Sequence, residues 1–124
     1  MSNLVVSNIS DGTTSVGTEY VVNGSAKAWA DFDQNVPTLN NSLNVSSATD
    51  TSSGLYTVNY SSSFNSTSYA MTGTTRGYHL IEDTATNSKG TSFIELRNWY
   101  VSGTAGQRVN IDLLSYSAMY GDLA

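Results

Sequence analysis

The sequence predicts an all-β fold, an antiparallel β-sandwich of jelly-roll-like form, and three observations carry that expectation. Only 12% of the 124 residues are charged, against a usual share of about 25%. Ser, Thr and Asn fill the gap, and they compete with helix backbones while Thr, Val and Tyr suit pleated surfaces. Second, short runs of alternating apolar and polar residues recur between turn dipeptides. Third, no stretch has the length and period of an amphipathic helix. A chain of 124 residues is the size of a single domain with a single core.

Leu4 to Ile9 is the first apolar run, closed by Asp11-Gly12. A polar link follows, and Glu19 to Val22 reads as a short extended piece stopped by the turn pair Asn23-Gly24. Ser25 to Phe32 is the next strand. It places Ala26, Ala28, Ala30 and Phe32 on one face and Lys27, Trp29 and Asp31 on the other, so its largest apolar side chain shares a face with two charges. Asp33 to Pro37 is a loop, with Pro37 kept outside any ladder because it has no amide hydrogen.

Leu39, Leu43 and Val45 define a strand from Thr38 to Ser47, and Thr49 to Gly54 is a turn by composition. Leu55 to Tyr60 returns as the second arm of a hairpin, with Tyr56, Val58 and Tyr60 on one face. Strands follow at Tyr69 to Gly73, at Tyr78 to Asp83 and at Thr91 to Val101, with a polar tip, Thr84 to Gly90, between the last two. The Thr91 to Val101 run puts Phe93, Glu95, Arg97 and Trp99 opposite to Ile94, Leu96, Asn98 and Tyr100. In the last segment Val109, Ile111 and Leu113 keep odd positions, then Leu114, Tyr116, Ala118 and Tyr120 take even ones. A β-bulge near Leu113 and Leu114 would keep both halves on one core.

The formal net charge is -5, with five basic residues scattered as Lys27, Arg76, Lys89, Arg97 and Arg108. No basic run is available to neutralise several phosphates, so nucleic acid is not an expected partner. Membrane insertion is not expected either, since no stretch nears the roughly 18 apolar residues of a spanning helix. There is no cysteine, hence no disulfide framework. The N-terminus carries no signal-peptide pattern.

Catalytic constellations are weak, and the expectation is a protein that is not an enzyme, with no cofactor. His79 could act as a base oriented by Glu82 or Asp83, but a lone strand histidine more often packs or faces water. Asp31-Phe32-Asp33-Gln34-Asn35 opens like a calcium loop, yet Val36 and Pro37 replace its glycine turn and Ser42 its terminal glutamate. No metal is expected there. Tyr78, Trp99, Tyr100 and Tyr116 combine flat apolar area with polar tips, suited to binding sugars or proteins or to packing in the core or between subunits.

Val21 to Phe32 (V-V-N-G-S-A-K-A-W-A-D-F), Ser42 to Asp50 with Gly54 to Tyr60, Ser68 to Gly73, and the ending Y-G-D-L-A, Tyr120 to Ala124, together resemble a domain at the C-terminal ends of bacteriophage tail-fibre and related virion proteins. The resemblance is closest to versions in phages of marine and other aquatic bacteria. It implies a virion-exposed β-sandwich tip, a homotrimer without enzymatic activity that takes part in host attachment. Relatives carry this domain after a long fibrous region, whereas here only the tip is present, as a separate small virion protein or an excised piece. Residues 1–22 would then be an extended attachment segment for other virion proteins of the tail, baseplate or capsid, and residues 23–124 the tip domain.

On this reading Tyr78, His79, Lys89 and Arg108 are the receptor-binding candidates, in or beside the loops Gly73 to His79, Thr84 to Gly90 and Ser102 to Arg108. The partner would be a host cell-surface glycan or protein. Lys27, Trp29, Asp31 and Trp99 are the subunit-interface candidates, with the Trp29 face meeting another subunit or a second sheet. The alternative is a structural virion component, such as a capsid decoration or tail knob, without receptor binding. A bacterial carbohydrate-binding module is a third reading, though such a protein more often carries an export signal.

Overall fold

A computed structural model describes residues 1–83, 88–103 and 106–124. In chain order the elements are β1 (Asn8–Ser10), β2 (Ser15–Gly17), α1 (Thr18–Gly24), β3 (Ala28–Asp33), β4 (Thr38–Leu43), β5 (Val45–Ser52), β6 (Leu55–Tyr60), β7 (Ala70–Thr75), β8 (His79–Glu82), β9 (Phe93–Val101), β10 (Arg108–Asn110) and β11 (Leu114–Tyr120). The fold is all-β in character, and the strand pairings are antiparallel. One sheet runs β4-β3-β11-β7; a second, five-stranded sheet runs β10-β9-β6-β5, with β8 also on β9; β1 and β2 pair separately. Arg97 faces Leu55 on one side and Ile81 on the other, which places β9 between β6 and β8.

The two larger sheets share one core. Ala28, Ala30 and Phe32 of β3 and Met119 of β11 meet Tyr56, Val58 and Tyr60 of β6 and Ile94 and Leu96 of β9. Phe32 and Tyr56 touch across the gap with ring centroids 5.0 Å apart. The small Ala28 and Ala30 side chains permit that approach. At one end Phe64 and Tyr69 stack at 4.3 Å, with Tyr60 edge-on to both.

A polar cluster is buried within this core. The Asn98 amide Nδ2 donates to Gln34 Oε1 at 2.9 Å and to Ser115 Oγ at 2.8 Å. Gln34 Nε2 in turn donates to Asp50 Oδ1 at 3.0 Å and to the Leu55 carbonyl at 3.2 Å. Gln34 and Ser115 extend from the four-stranded sheet and Asn98 belongs to the other, so the cluster bridges the two.

Several sequence expectations are corrected here. Glu19 to Val22, expected to be extended, lies in α1. Val21 and Val22 favour strands only where a neighbouring strand offers pairing, and this segment closes its hydrogen bonds locally instead. The first strand is Asn8–Ser10, later than Leu4, and pairs with Ser15–Gly17 inside the supposed polar link. The helix runs on through the expected turn pair Asn23-Gly24 and ends at Gly24.

Thr38 to Ser47 is two strands, not one. The chain leaves the four-stranded sheet after Leu43 and enters the other at Val45, turning at Asn44, whose φ is +53°. Asn tolerates that conformation, and its side chain fixes the corner by donating to the Ser62 carbonyl at 3.0 Å and accepting from the Ser62 amide at 2.7 Å. The expected turn from Thr49 narrows to Ser53 and Gly54, because β5 continues to Ser52; the hairpin with β6 forms as expected.

No bulge reconciles the last segment. Val109 lies in β10 on one sheet and β11 begins at Leu114 on the other, so the change of register is a change of sheet. Within β11 the buried residues are Ser115, Ser117 and Met119, while Tyr116 is exposed. The apolar even positions thus face outward, because Ser115, paired with Asn98, and Met119, packed in the core, hold the odd positions on the inner face.

Replacing Asn98 with Leu should lower unfolding stability by about 2–3 kcal/mol in urea titrations, since Gln34 and Ser115 would be left buried with unmet hydrogen-bonding groups. An unchanged midpoint would show that the cluster contributes nothing net.

Candidate binding site

The alternation of β3 that buries Ala28, Ala30 and Phe32 turns Trp29 and Asp31 to the opposite face of the four-stranded sheet. The expectation of a second sheet over Trp29 is corrected: the second sheet lies on the alanine face. Register fixes what surrounds Trp29. One cross-strand row reads Leu43, Trp29, Ala118, Thr72, and the next reads Asn41, Asp31, Tyr116, Thr74. Trp29 and Tyr116 are diagonal neighbours, a relation that sets Cβ atoms roughly 7–8 Å apart. Ala118 and Asp31 occupy the other diagonal, and the small side chains leave an open groove of about 520 Å³ between the rings. That volume lies within the ordinary range for ligand sites.

The register of β4 shifts between Asp31 and Phe32, leaving Asn40 as an extra residue. Asn40 Nδ2 donates to Asp31 Oδ1 at 3.1 Å, which holds the carboxylate at the groove. Asp33, the other acid of the calcium-like run, instead accepts from the Asn35 backbone amide at 2.9 Å and its side-chain amide at 3.0 Å, capping the turn. Among the described residues no group of three acidic, His or Cys side chains gathers in a way that could hold a metal ion.

The remaining interface candidates are engaged within the chain. Lys27 Nζ donates to the carbonyls of Val22 and Ser25 and to Ser25 Oγ, placing its charge at the negative end of α1. Trp99 is stacked on His79 at 4.6 Å, with the Arg108 guanidinium 5.5 Å from its ring centre.

Of the receptor candidates, His79 and Arg108 therefore meet at Trp99, and the exposed Tyr78 lies beside Tyr100 at 5.2 Å. Lys89 is apart from them, near the other end of β8. It donates to the Tyr69 carbonyl at 2.9 Å, pairs with Glu82 at 3.3 Å and sits 4.6 Å above the Tyr69 ring. Asp83 pairs with Arg97 at 2.8 Å. The two carboxylates weighed as orienting partners for His79 thus hold cations. Thr84, Ala85, Thr86 and Asn87 of one candidate loop, and Thr104 and Ala105 of another, lie outside the described residues.

Sequence reasoning placed Trp29 and Asp31 on one face and named Tyr116 separately, without bringing the three together, and it missed Asn41, Thr72 and Thr74. Their only signal is cross-strand register, which no single strand displays. Compared with family models, curated proteins and solved structures, the chain matches none.

The buried tyrosines make stability depend on alkaline pH. Burial, foremost, pushes the Tyr69 hydroxyl from 10.0 up to about 12, and burial raises Tyr60 and Tyr56 as well. The unfolded chain ionises first, so stability is fully present below pH 10 and is lost as pH rises through about 12. Urea midpoints should stay level from about pH 7 to 9 and fall by about pH 11, less steeply in Tyr69→Phe; equal slopes for the two proteins would refute the assignment.

Proposed function

We propose that this chain is the tip of a bacteriophage tail fibre, a virion protein that attaches the particle to its host's surface as a homotrimer of jelly-roll-like β-sandwiches. One observation carries the reading. None of residues 1–25 is buried, yet the segment holds a local hairpin and helix and displays Leu4, Val5 and Tyr20 at 86%, 91% and 70% exposure. Apolar side chains at that density, contributing nothing to their own core, suit a surface covered by another protein. This arm is the attachment segment, and its partners are neighbouring copies and other virion proteins.

The rest of the chain has its own core and is free to present a binding face. A capsid decoration or tail knob would use the same arm, but it has no need of an aromatic groove with a fixed carboxylate. That groove favours attachment to a host cell-surface glycan or protein.

The purified chain should have the solution mass of a trimer by light scattering and should compete with phage particles for adsorption to bacterial cells. A monomer at micromolar concentration that adsorbs to no cells would overturn the reading. Removing residues 1–24 should abolish incorporation into particles while changing folding stability by less than about 0.5 kcal/mol.

A further inference from the structure

We infer that the groove between Trp29 and Tyr116 binds a saccharide, a neutral or amino sugar whose ring lies between the two aromatic walls; the inference rests on the attachment reading and supplies its ligand class. A pyranose has an apolar C–H face and a rim of hydroxyls. It needs flat apolar surface beside hydrogen-bonding groups that are fixed in place. The groove presents both, with Trp29 and Tyr116 as walls, Ala118 as a low floor, and Asp31 and Asn41 side by side in one cross-strand row.

Asp31 decides between ligand classes. Among the described residues the ion pairs are Lys89 with Glu82 and Arg97 with Asp83, so no cation neutralises Asp31. Covering an uncompensated carboxylate with a protein surface that brings no cation would leave it desolvated and unpaired, which is strongly disfavoured. A sugar hydroxyl instead donates to it. Asn40 occupies Oδ1, and an ionised carboxylate has about four acceptor sites, so capacity remains for ligand hydroxyls. The same charge, on a chain of net charge -5, disfavours uronates, sialylated glycans and sulfated sugars.

The test is binding of the intact chain to an array of immobilised hexose, N-acetylhexosamine, amino-sugar and uronate oligosaccharides. Binding to at least one neutral or amino sugar and to no uronate is expected. Trp29→Ala and Tyr116→Ala should each weaken binding about tenfold or more, while Tyr116→Phe, which keeps the ring, should stay within about threefold. Tyr78→Ala, on the other sheet, should bind normally, and urea midpoints check that every variant is folded.

Preference for uronates, no binding to any sugar, or binding indifferent to Trp29→Ala would overturn the inference. So would a change in solution mass in Trp29→Ala or Tyr116→Ala, which would assign the face to contact between copies. Cell adsorption separates this inference from the one beneath it. Adsorption that survives both alanine variants removes the groove and keeps the attachment role, whereas Trp29-dependent sugar binding without adsorption keeps the groove and removes the role.

Discussion

Joining two sheets around a core that contains amides and hydroxyls is costly unless buried polar groups find partners across the gap, and Asn98 supplies them for Gln34 and Ser115. Its side chain reaches Gln34 and Ser115 on the opposite sheet. Its backbone amide donates to the Gly54 carbonyl at 2.7 Å, and its carbonyl accepts from the Ile111 amide at 3.2 Å. One residue thereby ties the β5-β6 turn, the crossing segment before β11 and both sheets. Gly54 is required at that turn: its φ is +72°, and a Cβ there would lie 2.5 Å from the Asn98 carbonyl oxygen. Asp112 Oδ1 secures the same turn by accepting from the Gly54 amide at 2.6 Å.

The inversion of β11 follows from this clasp. With Ser115 committed to Asn98 inside, the two-residue period sends Tyr116 and Ala118 outward. Trp29 is sent outward by the same rule in β3, because Ala28 and Ala30 are needed where the sheets come close. An aromatic outer face is therefore the counterpart of an inner face on which small and polar side chains, Ala28, Ala30, Ser115 and Ser117, sit beside Phe32 and Met119. The groove is produced by the packing that stabilises the fold.

Alternation within a strand was legible from sequence for β3, β6 and β9, whose buried and outward residues fall as the period predicts. Which strand lies beside which was not. The period assigns faces but says nothing about neighbours, so Asn44 and the 111–113 crossing read as continuations of one strand when each is a passage between sheets. The apolar even residues of β11 misled for a related reason: a hydrophobic side chain reads as core until the polar partner that claims the inner face is known. Trp29 and Asp31 stood out because a large ring and charges shared one face, while Asn41 and Thr72 carry no such anomaly. Helix α1 was hidden by β-branched residues whose strand preference goes unused without a neighbouring strand.

The N-terminal arm buries no residue of its own, so the core and the arm make independent demands on sequence. Substitutions on the exposed face of the arm leave the Asn98 clasp and the outer groove untouched, and changes in the groove leave the arm untouched. Sequence can therefore drift in either part of the chain without the other having to relearn how to fold.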